Sequence, residues 1–553
     1  MQIIVPMSGF GERFRKAGYS VPKPLIEIDG KPIIEWVVGL FPGETDFLFI
    51  CNEGHLAEPT FRMREILQRC CPTGRIVGIP AHKLGPVHAV LQASEFIRRD
   101  GPVVVNYCDF ACFWDWQDFR RFVAETGCAG AIPSYKGFHP HSLGSTNYAY
   151  LRETGGWVQD IQEKRPFTDN RMDEYASSGT YYFETGALME DAFRGAIEHG
   201  LDTGGEFYVS LTYKELFARK LPVAVYPLQH FMQWGTPEDL AEYVGWSQAF
   251  RKLVGPRAAM PAVGSQVVLL AGLGQRFTRE GYGLPKPLIP VSGRPMVVQA
   301  ARDLPPSVES CFVLRRDMPG EEQIATELVR EFSSAVIETI PGLTDGQACT
   351  AILGLDALER RCGTLPGPVT IASCDFGVLY DPEALQPLLN DETVDVVVWA
   401  ARGHANAVRH PEMFGWIDAV DGRIRHVSVK APLASPATDP LVLGTFTFRR
   451  ADDLRRAVSR LIDRGIRVNN EFYLDSCINE AIALGMNCRV FEVDHYLSWG
   501  TPNDLRTFEY WQSCFHKWSG HPYRLERDGR LPAAALPDLE ARYRVPDRPK
   551  QFA

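Results

Sequence analysis

Two stretches of this chain place glycine, arginine and lysine in a spacing suited to a polyphosphate. Gly9-Phe10-Gly11-Glu12-Arg13-Phe14 is followed by Pro22-Lys23-Pro24-Leu25, and Gly272-Leu273-Gly274-Gln275-Arg276-Phe277 by Pro285-Lys286-Pro287-Leu288. Glycines after a strand let the backbone turn sharply and bring its N–H groups against phosphate oxygens. Prolines on either side of a lysine fix the local backbone, so its ammonium is pre-positioned where charge builds during phosphoryl transfer. A tight strand–helix turn and a solvated surface lysine would explain either feature alone. Their recurrence at the same mutual distance favours chemistry.

A carboxylate belongs to the same set. Asp109 ends the apolar run 102–108 and Asp375 ends the run 368–374. An aspartate at the carboxyl end of a strand faces the ligand crevice of an α/β sheet and can hold Mg²⁺ against phosphate oxygens. Capping of the next turn is the ordinary alternative for a lone aspartate. Again, the repetition favours the metal.

These elements belong to an internal duplication. Lys23 matches Lys286 and Asp109 in NYCDF matches Asp375 in ASCDF. Lys164 matches Lys430, Glu206 in GGEFYVS matches Glu471 in NNEFYLD, and QWGTPEDL from 233 matches SWGTPNDL from 498. Five landmarks in order, separated by 263 to 266 residues, exclude chance. The expected organisation is a domain over 1–250, a Pro/Gly-rich linker over 251–264, a second domain over 265–520 and a C-terminal extension over 521–553, either an extended arm or a docking segment. Each half opens with an apolar β-branched run, then a glycine turn and a polar helix. Alternation of strands with helices predicts an α/β fold, two tandem Rossmann-like domains with mostly parallel sheets.

The chain has 553 residues, enough for two such domains, with ordinary hydrophobic (45%) and charged (23%) fractions. A formal charge of −10 disfavours nucleic-acid or anionic-membrane partners, so an anionic substrate needs a local cationic cluster. Thirteen scattered cysteines without paired CxxC spacing read as reduced thiols, and neither a signal sequence nor a membrane span is visible. The expected location is cytoplasmic, with self-association into a homo-oligomer left open. No GxSxG, HExxH, Walker lysine loop or glycosidase carboxylate pair can be placed.

The pattern G-x-G-x-R-F…P-K-P-L resembles that of the sugar-phosphate nucleotidyltransferases, the nucleoside-diphosphate-sugar pyrophosphorylases, in both halves. The resemblance implies Mg²⁺-dependent attack of a sugar or polyol phosphate on the α-phosphate of a nucleoside triphosphate, with release of pyrophosphate. It implies that Arg13 and Arg276 contact the outgoing pyrophosphate, Lys23 and Lys286 the α-phosphate, and Asp109 and Asp375 the Mg²⁺. Gly9, Gly11, Gly272 and Gly274 then cradle the nucleotide. Gly85 in Leu84-Gly85-Pro86 and Gly346 in Thr344-Asp345-Gly346-Gln347 fall in the base-binding turn. Pro80 and Pro341 stand where uridylyl- and thymidylyltransferases carry a base-reading glutamine, which favours CTP or GTP. On the acceptor side the resemblance points to Glu163, Lys164, Gly179 and Glu206 in the first half, and Lys430, Gly444 and Glu471 in the second. There the lysine holds the acceptor phosphate and the glutamate a hydroxyl.

Two departures stand out. The family's second aspartate, two residues before Gly-Thr, is replaced by Gln233 and Ser498, and Val429 replaces the glutamate before Lys430. The lost glutamate implies that the halves differ in acceptor or that one is impaired, and the two departures together motivate a competing reading, in which one or both halves are non-catalytic nucleotide-sugar-binding regulators. A glycosyltransferase, the third reading, lacks a D-x-D metal motif. The resemblance also implies a product that feeds surface-polysaccharide assembly.

Overall fold

The computed structural model describes residues 1–256 and 258–545. The chain forms two compact units, Met1–Val244 and Gly245–Arg544. The division falls inside the helix Pro237–Leu253, so the boundary expected at 250 shifts towards the N-terminus. The physical reason is aromatic: Phe250 packs on Phe508, Phe515 and Tyr523 of the second unit at ring separations of 5.5, 5.5 and 4.7 Å. Residues 251–253 thus finish a helix instead of opening a linker. Of the two alternatives for the segment from 521, its described part to Arg544 takes that of a docked segment, packed into the second unit with Tyr523 and Leu525 fully buried. No helix among the described residues is long and apolar enough to cross a membrane.

The two sheets share one strand order. In the first unit Arg75–Ile79, Phe47–Asn52, Gln2–Met7 and Val103–Asn106 lie side by side and parallel. The second unit aligns Val336–Ile340, Glu309–Arg315, Ser265–Leu269 and Val369–Ser373 in the same way. The inner three strands of each set are largely buried on both faces because helices cover both, whereas the edge strands Arg75–Ile79 and Val336–Ile340 are only partly buried. Along them the faces alternate: Val267 and Ile371 enter one core under the helices Gln347–Cys362, Ala451–Asp463 and Leu474–Ala483. Val268 and Ala372 enter the other, under Met296–Asp303, Glu321–Glu331 and Pro382–Asn390.

Beyond these four strands the expected parallel pairing gives way to a mixed sheet. Thr180–Phe183 and Leu441–Phe448 run antiparallel to Val103–Asn106 and Val369–Ser373. Further out, Ala149–Thr154 with Trp157–Glu163, and Gly415–Val420 with Arg423–Val429, are hairpins. Their two-residue turns, Gly155-Gly156 and Asp421-Gly422, all take positive φ (59°, 84°, 51° and 73°). Such a turn reverses the chain and forces antiparallel pairing.

A small ribbon completes each unit. Phe110–Phe113 pairs with His230–Gln233, and Phe376–Leu379 with His495–Ser498. This ribbon brings the late W-G-T segment beside the strand-end aspartate.

Candidate active site

The glycine loop leaves the first strand of each unit and starts a short helix. Gly11 and Gly274 cap Glu12–Lys16 and Gln275–Arg279 in the left-handed conformation, φ 61° and 64°, where a side chain would be strained. A Cβ on Gly9 or Gly272 would meet nothing within 4 Å, so the outer face of the loop is open. Arg13 and Arg276 follow as exposed cations.

The proline-flanked lysines are aimed by one-turn 3₁₀ segments, Lys23–Leu25 and Lys286–Leu288. Lys23 Nζ donates to Asp109 Oδ2 at 2.8 Å, and Lys286 Nζ to Asp375 Oδ2 at 2.6 Å. Residues far apart in sequence therefore converge, in both units, on one crevice. Burial opposes each ammonium, but the adjacent carboxylate outweighs it, so both lysines are held above the ordinary lysine range. The neighbouring thiols of Cys108 and Cys374 are pushed up to about 12 by burial, which leaves them neutral.

The ribbon closes the floor. Trp234 N–H donates to Asp109 C=O and Trp499 N–H to Asp375 C=O, both at 3.0 Å. A Cβ on Gly235 would lie 2.7 Å from Gln233 Nε2 and 3.1 Å from Asp109 Oδ2, so amide and carboxylate flank one point. No group of three or more His, Cys, Asp and Glu gathers at metal-binding distance among the described residues. In the first unit a cleft of about 500 Å³ is lined by Gly9, Gly11, Arg13, Lys23, Gly85, Asp109, Glu206 and Tyr208.

Gly85 and Gly346 owe their identity to packing. A Cβ on Gly85 would lie 2.6 Å from the backbone N and O of Phe207, and one on Gly346 2.5 Å from Phe472 N. Each glycine (φ 90° and 136°) admits the E-F-Y segment, which is tied down by Phe207 N–H to Leu84 C=O at 2.9 Å and Phe472 N–H to Asp345 C=O at 2.8 Å.

On the acceptor side, Lys164 and Lys430 follow strand ends with φ of 57° and 59°, a costly conformation for a non-glycine residue. Lys164 Nζ donates to Tyr208 Oη at 2.6 Å, and that hydroxyl donates to Glu206. Lys164 thus joins the cleft through Tyr208. Glu163 accepts from Ser210 Oγ at 2.6 Å; burial drives its carboxyl up to about 7, against the lowering effects of Ser210 and Lys164. Gly179 (φ 98°) lies against Phe110 and Tyr107, each 3.1 Å from a Cβ built there, whereas Gly444 (φ 75°) faces Ser373 Oγ at 3.4 Å. In the second unit Lys430 Nζ donates to Met413 C=O and lies 5.8 Å from the Tyr473 ring centre. Burial lowers its pKa, Asp475 and Glu471 oppose that, and the Arg276 charge adds to it. The sequence reading passed over Tyr208, Ser210 and Asp475, although GGEFYVS set against NNEFYLD carries the signal in its last letter.

An α/β sheet with a glycine loop, a half-buried lysine–aspartate pair and an acceptor-side lysine, built twice, defines a nucleotidyltransferase-type fold. The chain belongs to the MobA-like NTP transferase family, whose domain it matches over residues 3–174 and again over 266–467. Among curated proteins it is similar to the bifunctional protein GlmU of Pelotomaculum thermopropionicum, with 22% identity over 41% of this chain and 47% of that protein. It is also similar to mannose-1-phosphate guanyltransferase beta-A of Xenopus laevis, with 24% identity over 34% of this chain and 51% of that one. The chain thus spans about half the length of the curated relatives it matches. A solved nucleoside-diphosphate-sugar pyrophosphorylase from Vibrio cholerae aligns with a TM-score of 0.36 and 21% identity, covering 44% of this chain and 99% of that one.

Proposed function

We propose that each unit transfers a nucleotidyl group from a nucleoside triphosphate to a sugar or polyol phosphate, forming a nucleoside-diphosphate product and releasing pyrophosphate. One observation carries the reading: the lysine–aspartate pair stands at an open glycine loop in both units, at 2.8 and 2.6 Å. In the reaction an acceptor phosphate oxygen forms a bond to the α-phosphorus, and the bond from that phosphorus to the β-phosphate oxygen breaks. The attacking group is already an anion, so catalysis rests on positioning and charge neutralisation. Lys23 and Lys286 neutralise the α-phosphate, Arg13 and Arg276 the leaving pyrophosphate, and Lys164 and Lys430 hold the acceptor phosphate in line. The loop N–H groups at Gly9, Gly11, Gly272 and Gly274 bind phosphate oxygens, and Gly85 and Gly346 bound the base site.

The donor set fits Mg²⁺. Asp109 and Asp375 are each about a quarter exposed (24% and 28%) at the crevice. A single carboxylate suffices for a cation that commonly takes one or two and fills its shell with substrate phosphates and water. Asp109 in the first unit and Asp375 in the second would hold the ion. When bound, it supplies charge neutralisation across the triphosphate. The bases favoured are CTP and GTP; the guanyltransferase named among the relatives supports testing GTP first. A cytoplasmic role in supplying polysaccharide synthesis rests on the family resemblance alone.

The test is pyrophosphate release with Mg²⁺, each nucleoside triphosphate, and mannose 1-phosphate, glucose 1-phosphate, inositol 1-phosphate or glycerol 3-phosphate. Lys23→Ala and Lys286→Ala are each expected to lower one activity by about 100- to 1000-fold, the scale of a lost transition-state contact. No release with any pairing would overturn the proposal. Gln233 and Ser498, which leave the aspartates without a second carboxylate, favour the alternative of a non-catalytic nucleotide-sugar sensor. Nucleotide binding without turnover would establish that alternative.

A further inference from the structure

The two acceptor sides differ by a coordinated exchange at three positions. In the first unit Ala149 pairs across the hairpin with Glu163, and Ser210, in the first turn of the helix Val209–Ala218, donates to the Glu163 carboxylate at 2.6 Å. In the second unit the same register pairs Gly415 with Val429, and the helix position of Ser210 is taken by Asp475. The carboxylate lost from the strand reappears on the helix. Gly415 makes room for it: a Cβ there would lie 2.3 Å from Asp475 Oδ2. An alanine, as at 149, would exclude the carboxylate from its place.

The relocated group lies against the Gly415–Val429 pair, one residue before Lys430. Asp475 is buried (8% exposed) and the Lys430 charge acts on it. Lys430 in turn feels Arg276 of the glycine loop and Glu471. The wall changes with it. Tyr107, which lines the first cleft and accepts from Val209 N–H at 3.2 Å, is matched by the small Ser373. Among the described residues no side-chain hydroxyl donates to Asp475 as Ser210 does to Glu163, which leaves its carboxylate lone pairs for a ligand hydroxyl.

We propose that Asp475 is the acceptor-recognising carboxylate of the second unit, presented by the helix where the first unit presents Glu163 from the strand, so that the two units take different hydroxylated phosphate acceptors. The proposal rests on the nucleotidyl-transfer reading above. Its test uses the full chain carrying Lys23→Ala, which leaves the second unit to report alone, with pyrophosphate release measured on the same four phosphates. Asp475→Ser, and the isosteric Asp475→Asn, are expected to raise the acceptor KM by about tenfold to a hundredfold, the scale of a lost charged hydrogen bond. The KM for the triphosphate should stay within about twofold. The triple variant Gly415→Ala/Val429→Glu/Asp475→Ser rebuilds the first unit's arrangement and should move the order of preferred acceptors towards that of the Lys286→Ala protein. Unchanged acceptor KM in both single variants, with release still abolished by adding Lys286→Ala, would overturn this proposal and leave the transfer reading standing. No release from the Lys23→Ala protein on any pairing would overturn both for the second unit.

Discussion

At the scale of residues, the site concentrates energetic cost where chemistry is proposed. Lys164 and Lys430 both hold left-handed backbone, which glycine or asparagine would adopt with less strain. Glu163 is a second such cost. Its folded pKa of about 7 lies above the ordinary glutamate value of 4.5, chiefly through burial. Between those two values the folded state binds more proton than the unfolded state, so stability falls as pH rises from 4.5 through 7 and levels off above. Glu163→Gln removes this dependence. Its stability relative to the natural protein should therefore grow from pH 4.5 to 7 in urea titrations of the first unit. Parallel pH profiles would refute the assignment. The same residues show what sequence could reveal. Lys23 with Asp109, and Lys286 with Asp375, were legible because the duplication repeats them and each side chain lies at a strand end or a proline-fixed turn. Asp475 was not legible as a partner of Val429, since a carboxylate passing from strand to helix is visible only once the two elements are side by side.

At the scale of elements, the crossing of the E-F-Y segment over Gly85 and Gly346 locks the two sides of the crevice together. The Phe207 and Phe472 backbones occupy the volume a Cβ would need, and both glycines hold positive φ. Backbone cannot retreat as a side-chain tip can. Gly85→Ala should therefore cost the first unit on the order of 2–4 kcal/mol, combining strain and overpacking, and displace Glu206 and Tyr208 from the cleft. Denaturant midpoints and triphosphate affinity should fall together; a loss below about 1 kcal/mol would show that the segment yields. Strand and helix alternation was readable from apolar periodicity, and the parallel nucleotide-side strands followed from it. Strand direction on the acceptor side was not inferred, although Gly155-Gly156 and Asp421-Gly422 are two-residue reversal signals.

At the scale of the whole molecule, the second unit recruits chain from beyond its duplicated core. Phe250, from the preceding helix, and Tyr523, from beyond the expected domain end, meet at 4.7 Å, and His521 Nε2 lies 3.2 Å from Ser247 C=O. The same segment inserts Arg530, which pairs with Asp303 at 3.2 Å and Asp528 at 3.4 Å, all three buried. Asp303 Oδ2 lies 2.2 Å from where a Cβ on Gly377 would stand, on the ribbon strand that begins just after Asp375. Arg530→Met removes the guanidinium that lies between two buried carboxylates. Breaking such a pair typically costs about 3–5 kcal/mol, more than the pair itself contributes. Because the two units have separate cores, the loss should fall on one of them. Unfolding should split, with the second unit's transition moving to lower denaturant while the first unit's stays in place. Pyrophosphate release by the Lys286→Ala protein, which reports the first unit, should survive the substitution, and release by the Lys23→Ala protein should decline. A uniform shift of both transitions would mean that Arg530 supports the chain as one cooperative body and that the two sites are not energetically separate.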